Sequence, residues 1–412
     1  MEGVPYLRVS RCYAQDFRKY LQSQDVLDTS LSFLKDIDET IILPILTKRV
    51  SRLDIKHLQS TVASDSICEI IWSEAFKKKK KQQAVVNKLE VALQRLLLES
   101  IGEDWTEGLK RDLPRSFERH GDLILLGHNC FSQFIWKQIG DSLWTTVAKV
   151  LGANRLAKIS HICSNGFRSP VVTMLHGEHS WVTHVDNGIR YDFDVTKCMF
   201  SSGNITEKLR VATFDCKGET VVDLYAGIGY FTLPYLVHSG AAHVHACEWN
   251  PDAIEALHKN LQINKVSEHC TIHQGDNRQL QLYDIADRVN LGLIPSSEDG
   301  WPVACRLLKR STGGILHIHY NVTSPVSNRD SSLENIPAHK NNRETWQVWA
   351  HDTAKCFTAL LKDTTGTEWR THVQHIEHVK SYAPHVHHVV LDLECRPLVG
   401  DNEHNNVSVA LM

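Results

Sequence analysis

The stretch Val222-Asp-Leu-Tyr-Ala-Gly-Ile-Gly-Tyr-Phe231 decides the fold. An apolar strand runs into Asp223, and a turn holding Gly227 and Gly229 then opens a helix, so that peptide N–H groups and the helix N-terminus face whatever binds there. The third glycine of the dinucleotide fingerprint is missing, and an acid just before the glycines would repel a pyrophosphate. A carboxylate at that point suits a ligand with a positive pole and no phosphate, such as the amino or sulfonium group of S-adenosylmethionine.

Outward from this stretch the chain alternates strand and helix. Thr220–Leu224, His243–Cys247, Cys270–His273, Arg288–Leu293 and Gly314–His319 are spaced as the parallel strands of a doubly wound sheet. A helix over Trp346–Leu361 and an antiparallel edge hairpin, Trp369–Val379 with His387–Leu393, complete the pattern. Glu248 ends the second strand, 19 positions after Gly229, where an acid accepts hydrogen bonds from both ribose hydroxyls. Asn250-Pro251 behind it supplies a helix cap and a proline at the first helical position. At the end of the third strand Asp276 and Asn277 offer an acceptor and an amide, the equipment for reading an adenine edge. Singly, these residues read as a turn, a helix cap and solvated strand ends. Their joint order points to a nucleoside.

The fold class expected is α/β: a doubly wound, Rossmann-like domain preceded by smaller α+β domains. Residues 1–85 read as a small α+β domain, 86–200 as a strand-rich connecting domain, 201–395 as the doubly wound cofactor-binding domain and 396–412 as a flexible tail. The run Lys77–Lys81 reads as a linker or solvated edge, and Val85–Leu98 has helical apolar spacing. Two successive hairpins around His176–His179 and Asp186-Asn-Gly188 imply one small antiparallel sheet.

Of the 412 residues, 45 are Lys or Arg and 48 Asp or Glu, a formal charge of −3. No whole-surface positive field exists to drive indiscriminate nucleic-acid binding, so any polyanion must be gripped locally. No apolar run approaches the roughly 18 residues of a spanning helix, and the opening Met-Glu-Gly-Val-Pro-Tyr-Leu-Arg lacks a signal-peptide layout, so a cytoplasmic protein is expected. Eleven cysteines never form a Cys-x-x-Cys pair, which removes the support for zinc-ribbon and thioredoxin readings. His385, His387 and His388 cluster without a carboxylate or cysteine at ligand spacing, so no metal is expected.

The segment Asp194-Val-Thr-Lys-Cys-Met-Phe-Ser-Ser-Gly-Asn-Ile-Thr-Glu-Lys-Leu-Arg210 resembles a motif shared by the tRNA wybutosine-synthesising protein 2 family and its sisters, the tRNA guanine-37 N1-methyltransferases. Asp223–Phe231, Cys247-Glu-Trp-Asn-Pro251, Gly275-Asp-Asn-Arg278 and Lys380-Ser-Tyr-Ala-Pro-His385 resemble the same family. The likeness is specific from about 160 to 395 and weak before 110. It implies a class I methyltransferase-like fold, RNA binding by residues 86–200, an S-adenosylmethionine-binding catalytic domain over 201–395, and cofactor contacts at Ser201, Lys208, Glu248, Asp276 and Asn277, with Lys208 on the cofactor carboxylate, beside Asp223, Gly227 and Gly229 from the turn.

The methyltransferase sisters hold their target base with an asparagine before an apolar-Pro or Pro-Pro pair. Here the stretch reads Asn290-Leu-Gly-Leu-Ile-Pro295, with Leu293 where that asparagine is expected, which weighs against methylation. The resemblance therefore implies transfer of the 3-amino-3-carboxypropyl group of S-adenosylmethionine to C7 of 4-demethylwyosine, at position 37 in the anticodon loop of phenylalanine tRNA. The alternatives are guanine-37 N1-methylation and a non-catalytic tRNA-binding adaptor. No catalytic base is named by the sequence; His317, His319 and Asn321 are candidates, while Arg155, Lys158 and Arg168 are candidates for phosphate contacts.

Overall fold

The structure, a computed structural model, describes residues 3–31, 33–35, 40–64, 66–73, 81–164, 166–200, 202–325, 338–383 and 385–398. The chain divides into two compact units, Met1–Asn87 and Lys88–Met412. Ser201, the lysines 77–80 and the tail beyond 398 lie outside the described residues.

The first unit is a four-stranded antiparallel sheet in the order β2-β3-β1-β4, made of β1 (Val4–Ser10), β2 (Leu34–Lys35), β3 (Thr40–Pro44) and β4 (Cys68–Ser73). Helix α1 (Ala14–Ser23) buries Ala14, Phe17 and Leu21, a spacing that puts all three on one helical face. Asp54 caps α2 (Ile55–Val62) by accepting the His57 N–H at 3.1 Å. Leu7, Val9, Phe17, Leu43 and Leu58 meet in the core of this unit.

Helix α3 (Lys81–Ile101) buries Leu89, Leu93 and Leu97. After α4 (Glu107–Arg111) come β5 (Phe117–His120), β6 (Leu123–Leu126), α5 (Ile135–Ile139), α6 (Asp141–Leu151), β7 (Arg155–Ile162) and β8 (Pro170–His176), whose strands form a sheet in chain order. Strands β9 (Trp181–Asp186) and β10 (Ile189–Asp194) form a separate two-stranded sheet.

This corrects the single antiparallel sheet expected from the sequence. β6 and β7 run parallel, with α5 and α6 as the crossover, and β8 does not pair with β9. In place of that pairing, the Arg155 guanidinium of β7, anchored on Asp122, donates to the carbonyls of His179 and Trp181 at 2.6 Å each. Gly177 lets it pass at φ +83°, since a Cβ there would lie 2.7 Å from Arg155 Cγ. The Asp186-Asn-Gly188 turn does close a hairpin, with Asn187 and Gly188 both at positive φ.

The rest of the second unit is a seven-stranded sheet in the order β13-β12-β11-β14-β15-β17-β16. In chain order its elements are α7 (Ile205–Val211), β11 (Thr220–Asp223), α8 (Thr232–Val237), β12 (His243–Glu248), α9 (Pro251–Ile263), β13 (Cys270–Gln274), β14 (Arg288–Leu291), α10 (Trp301–Leu307), β15 (Gly314–Thr323), α11 (Ala338–Thr365), β16 (Trp369–Ala383) and β17 (Val386–Pro397). β11 to β15 are parallel, and β17 is antiparallel to both β15 and β16. Both faces are covered: Val221 joins a core with Val244 and Leu257, while its neighbour Val222 joins one with Val289 and Leu316. This is the expected α/β class. Strand order reverses between β11 and β14, so a crevice opens beyond their C-terminal ends.

Candidate active site

A cavity of about 510 Å³ fills that crevice. Every parallel strand end from β13 to β14 contributes to its wall: Leu224, Tyr225 and Gly227 after β11, Glu248 from β12, Asp276 and Asn277 after β13, and Leu293 and Ile294 after β14. The size suits one small molecule, since such sites occupy roughly 300–1,000 Å³.

Glu248 is fixed by three main-chain donors. Its Oε1 accepts the N–H groups of Trp249 and Asn250 at 2.9 and 2.8 Å, and its Oε2 accepts that of Gly227 at 2.8 Å. Burial lifts its pKa above the ordinary carboxylate value, while the three amides pull the other way. Gly227 sits at φ +56° with the Tyr230 ring against it, and the Tyr230 hydroxyl donates to the Met199 carbonyl. Acid, turn and tyrosine are therefore one assembly.

Asp276 caps the short turn after β13 and pairs with Arg278 at 2.6 Å, which holds its carboxyl below the usual range. Asn277 donates its amide to the Leu224 carbonyl at 2.7 Å, binding the third strand end to the first.

The other proposed contacts are placed differently. Asp223 is wholly buried and does not line the cavity. Its oxygens accept from Asn290 Nδ2 at 2.9 Å and Thr232 Oγ1 at 2.8 Å, so the acid that the sequence aims at the ligand instead stitches β11 to β14 and α8. Gly229, at φ +100°, makes room for Leu233 and Leu257 rather than for a ligand. Lys208 is 2 % exposed; its ammonium pairs with Asp186 at 3.0 Å and lies over the rings of Tyr191 and Phe200, away from the cavity wall. Ser201 lies outside the described residues.

The suggested bases also move. β15 continues to Thr323 instead of ending near residue 319, so His317 and His319 are interior to the sheet, bonded to Asp392 at 2.7 Å and to His388 at 3.1 Å. Neither they nor Asn321 line the cavity. Arg155 and Lys158 spend their donors on Asp122 and on protein carbonyls, the Lys158 ammonium reaching the Cys130 carbonyl at 2.5 Å. Only Arg168 of the three reaches the cavity, where it donates to the Ile294 carbonyl at 2.9 Å.

Sequence reasoning gave no role to Tyr225, Tyr230, Trp249, Lys380 and Tyr382, all of which line the cavity. The Lys380-Ser-Tyr382 stretch was visible as a motif; its distance along the chain hid its place. Among the described residues, no group of three His, Cys, Asp or Glu side chains could hold a metal ion, and no helix is long and apolar enough to cross a membrane.

Residues 182–344 match the TRM5/TYW2 methyltransferase domain, and 7–79 and 97–180 match two TYW2 N-terminal domains. The tRNA wybutosine-synthesizing protein 2 homolog of Danio rerio is 58% identical over 97% of this chain and 100% of its own length. The chain belongs to the tRNA wybutosine-synthesizing protein 2 family. The human homolog is 48% identical over 93% of each chain. Among solved structures, P. horikoshii TYW2 in complex with MeSAdo is 28% identical, covers 74% of this chain and 99% of its own, and superposes with a TM-score of 0.52. The M. jannaschii tRNA m1G37 methyltransferase, at 19% identity and a TM-score of 0.56 over 96% of this chain, shares the fold.

Proposed function

We propose that this chain is an S-adenosylmethionine-dependent transferase that modifies tRNA, moving the 3-amino-3-carboxypropyl group to C7 of 4-demethylwyosine at position 37 of phenylalanine tRNA in the cytoplasm. The observation that carries the choice of group is Leu293: it lines the cavity after β14, where the methyltransferase sisters hold a base with an asparagine, while the nearby amide of Asn290 is spent on buried Asp223. The wall therefore offers apolar surface and no side-chain amide at that position.

In this reading Glu248 receives the ribose hydroxyls, Asp276 and Asn277 face the adenine, and the Gly227 turn lies along the nucleoside. Asp223 and Gly229 act from behind the wall as positioning residues, and Lys208 is held there by Asp186. Residues 86–200 carry RNA contacts and 201–395 the cofactor and chemistry. C7 of the base attacks the γ-carbon of the transferred group, the C–S bond breaks, and its electron pair neutralises the sulfonium to give 5'-methylthioadenosine. The proton on C7 then leaves to a base. With a cationic leaving group already in place, orientation is the main catalytic demand.

S-adenosylmethionine labelled separately in its methyl and carboxyl carbons, incubated with the full chain and tRNA carrying the tricyclic base, tests this. Carboxyl label on the RNA is expected. Methyl label would establish methylation instead, and no label from either position would favour an adaptor.

A further inference from the structure

We infer that Lys380 is the residue that binds the carboxylate of the transferred group, an inference that rests on the cofactor reading above. The group carries a carboxylate, and a cationic side chain in the wall is a direct partner for it. Among the described residues, three cationic side chains line the cavity: Arg168, Arg278 and Lys380. Arg278 is neutralised by Asp276, with Nε 2.9 Å from both oxygens and Nη2 2.6 Å from one. Arg168 is turned onto the Ile294 carbonyl. Lys208, the cation implied by family resemblance, faces Asp186 from behind the wall. Lys380 forms no ion pair with an acid among the described residues. Its ammonium lies 4.6 Å from the centre of the Tyr382 ring, a contact that leaves its donors available.

The sheet order places it correctly. Asp276 and Asn277 follow β13 at one edge, Glu248 ends the next strand, and the Gly227 turn follows the third. A nucleoside laid along these strand ends has its 5' substituent directed toward the β14 side and away from β13. Lys380 is on β16, at the opposite edge of the sheet, and reaches the cavity beside Gly203 and Asn204. The lysine side chain crosses Gly203 so closely that a Cβ there would lie 3.1 Å from Lys380 Cδ and closer still to the ammonium. That crossing explains a glycine in the Phe200-Ser-Ser-Gly203 motif at a point where no positive φ demands one.

The test compares three ligands on the full-length chain by titration calorimetry: S-adenosylmethionine, its decarboxylated analogue, and 5'-methylthioadenosine. A hydrogen-bonded charge pair corresponds to about tenfold or more in affinity, so the wild type is expected to favour S-adenosylmethionine over the decarboxylated analogue by that factor. Lys380→Met should abolish the preference by weakening S-adenosylmethionine alone, and Lys380→Arg should retain part of it. Gly203→Ala should reproduce the Lys380→Met pattern, because the added methyl displaces the ammonium without removing it. A preference that survives in Lys380→Met, or an equal loss for all three ligands, would each overturn the assignment. Failure of the wild type to bind any of the three would instead overturn the cofactor reading itself.

Discussion

The guanidinium of Arg210 on α7 forks between two buried carboxylates, Glu207 on its own helix and Asp392 on β17, 182 positions away. Asp392 in turn accepts from His317 of β15 at 2.7 Å, so one acid fastens the motif helix to two strands of the sheet. Removing one member of such a buried set leaves another charge uncompensated, at about 3–5 kcal/mol. Asp392→Ala is expected to lose stability in that range in a urea titration. Loss below about 1 kcal/mol would mean that the pair is not desolvated in solution.

Glu207 gives the same cluster a pH dependence. It is fully buried and shares one guanidinium with Asp392, and burial pushes its carboxyl up to about 7. An unfolded glutamate titrates near 4.3. Between about 4.5 and 7 the folded state therefore binds more protons at this site than the unfolded state, and its contribution to stability falls as pH rises through that window. Other buried groups titrate in the same range, His388 down to about 4, so the readout is a difference. The stability gap between wild type and Glu207→Gln, measured from urea midpoints at pH 5 and pH 7.5, should shift in favour of the variant at the higher pH. A gap independent of pH would place the Glu207 pKa outside the window.

Much of this architecture was legible beforehand, for a physical reason. Parallel strands covered on both faces read as uninterrupted apolar runs, and the glycine turn, the strand-end acid and the Asp-Asn pair follow them in order, so the doubly wound sheet could be drawn from its text. Direction was the harder matter. Asp223 and Glu248 both end strands, yet one is turned into the sheet to hold Asn290 and Thr232 while the other stays on the cavity wall. Periodicity does not separate those outcomes at a strand terminus. Arg155 and Lys158 read as candidates for phosphate contacts because nothing local in the sequence shows the carbonyls that capture them, which belong to loops distant in sequence. The β6–β7 pairing was missed because two short helices between the strands suffice for a parallel crossover.

Glu248 gives a sharper test of the proposed nucleoside site. Truncation to alanine removes the acceptor of three N–H groups and one wall of the cavity together. Glu248→Ala is expected to weaken 5'-methylthioadenosine and S-adenosylmethionine alike by about tenfold or more, since both carry the ribose, while tRNA affinity stays nearly unchanged. Parallel loss of tRNA binding in a normally folded protein would mean that the acid supports the RNA surface instead.

Lys208 separates family resemblance from geometry. Resemblance puts it on the cofactor; the structure seals it against Asp186, 14 % exposed, beneath the rings of Tyr191, Phe200 and Tyr230. Burial lowers its pKa and Asp186 raises it, the balance of a paired interior cation. If the pairing is its role, Lys208→Met strands the Asp186 carboxylate and costs about 3 kcal/mol of stability, and Lys208→Met combined with Asp186→Asn recovers most of it because no lone charge remains. Affinity for S-adenosylmethionine in the double variant should stay within a few-fold of wild type. A double variant that is stable and still loses S-adenosylmethionine tenfold, with 5'-methylthioadenosine unaffected, would return the carboxylate contact to Lys208 and take it from Lys380.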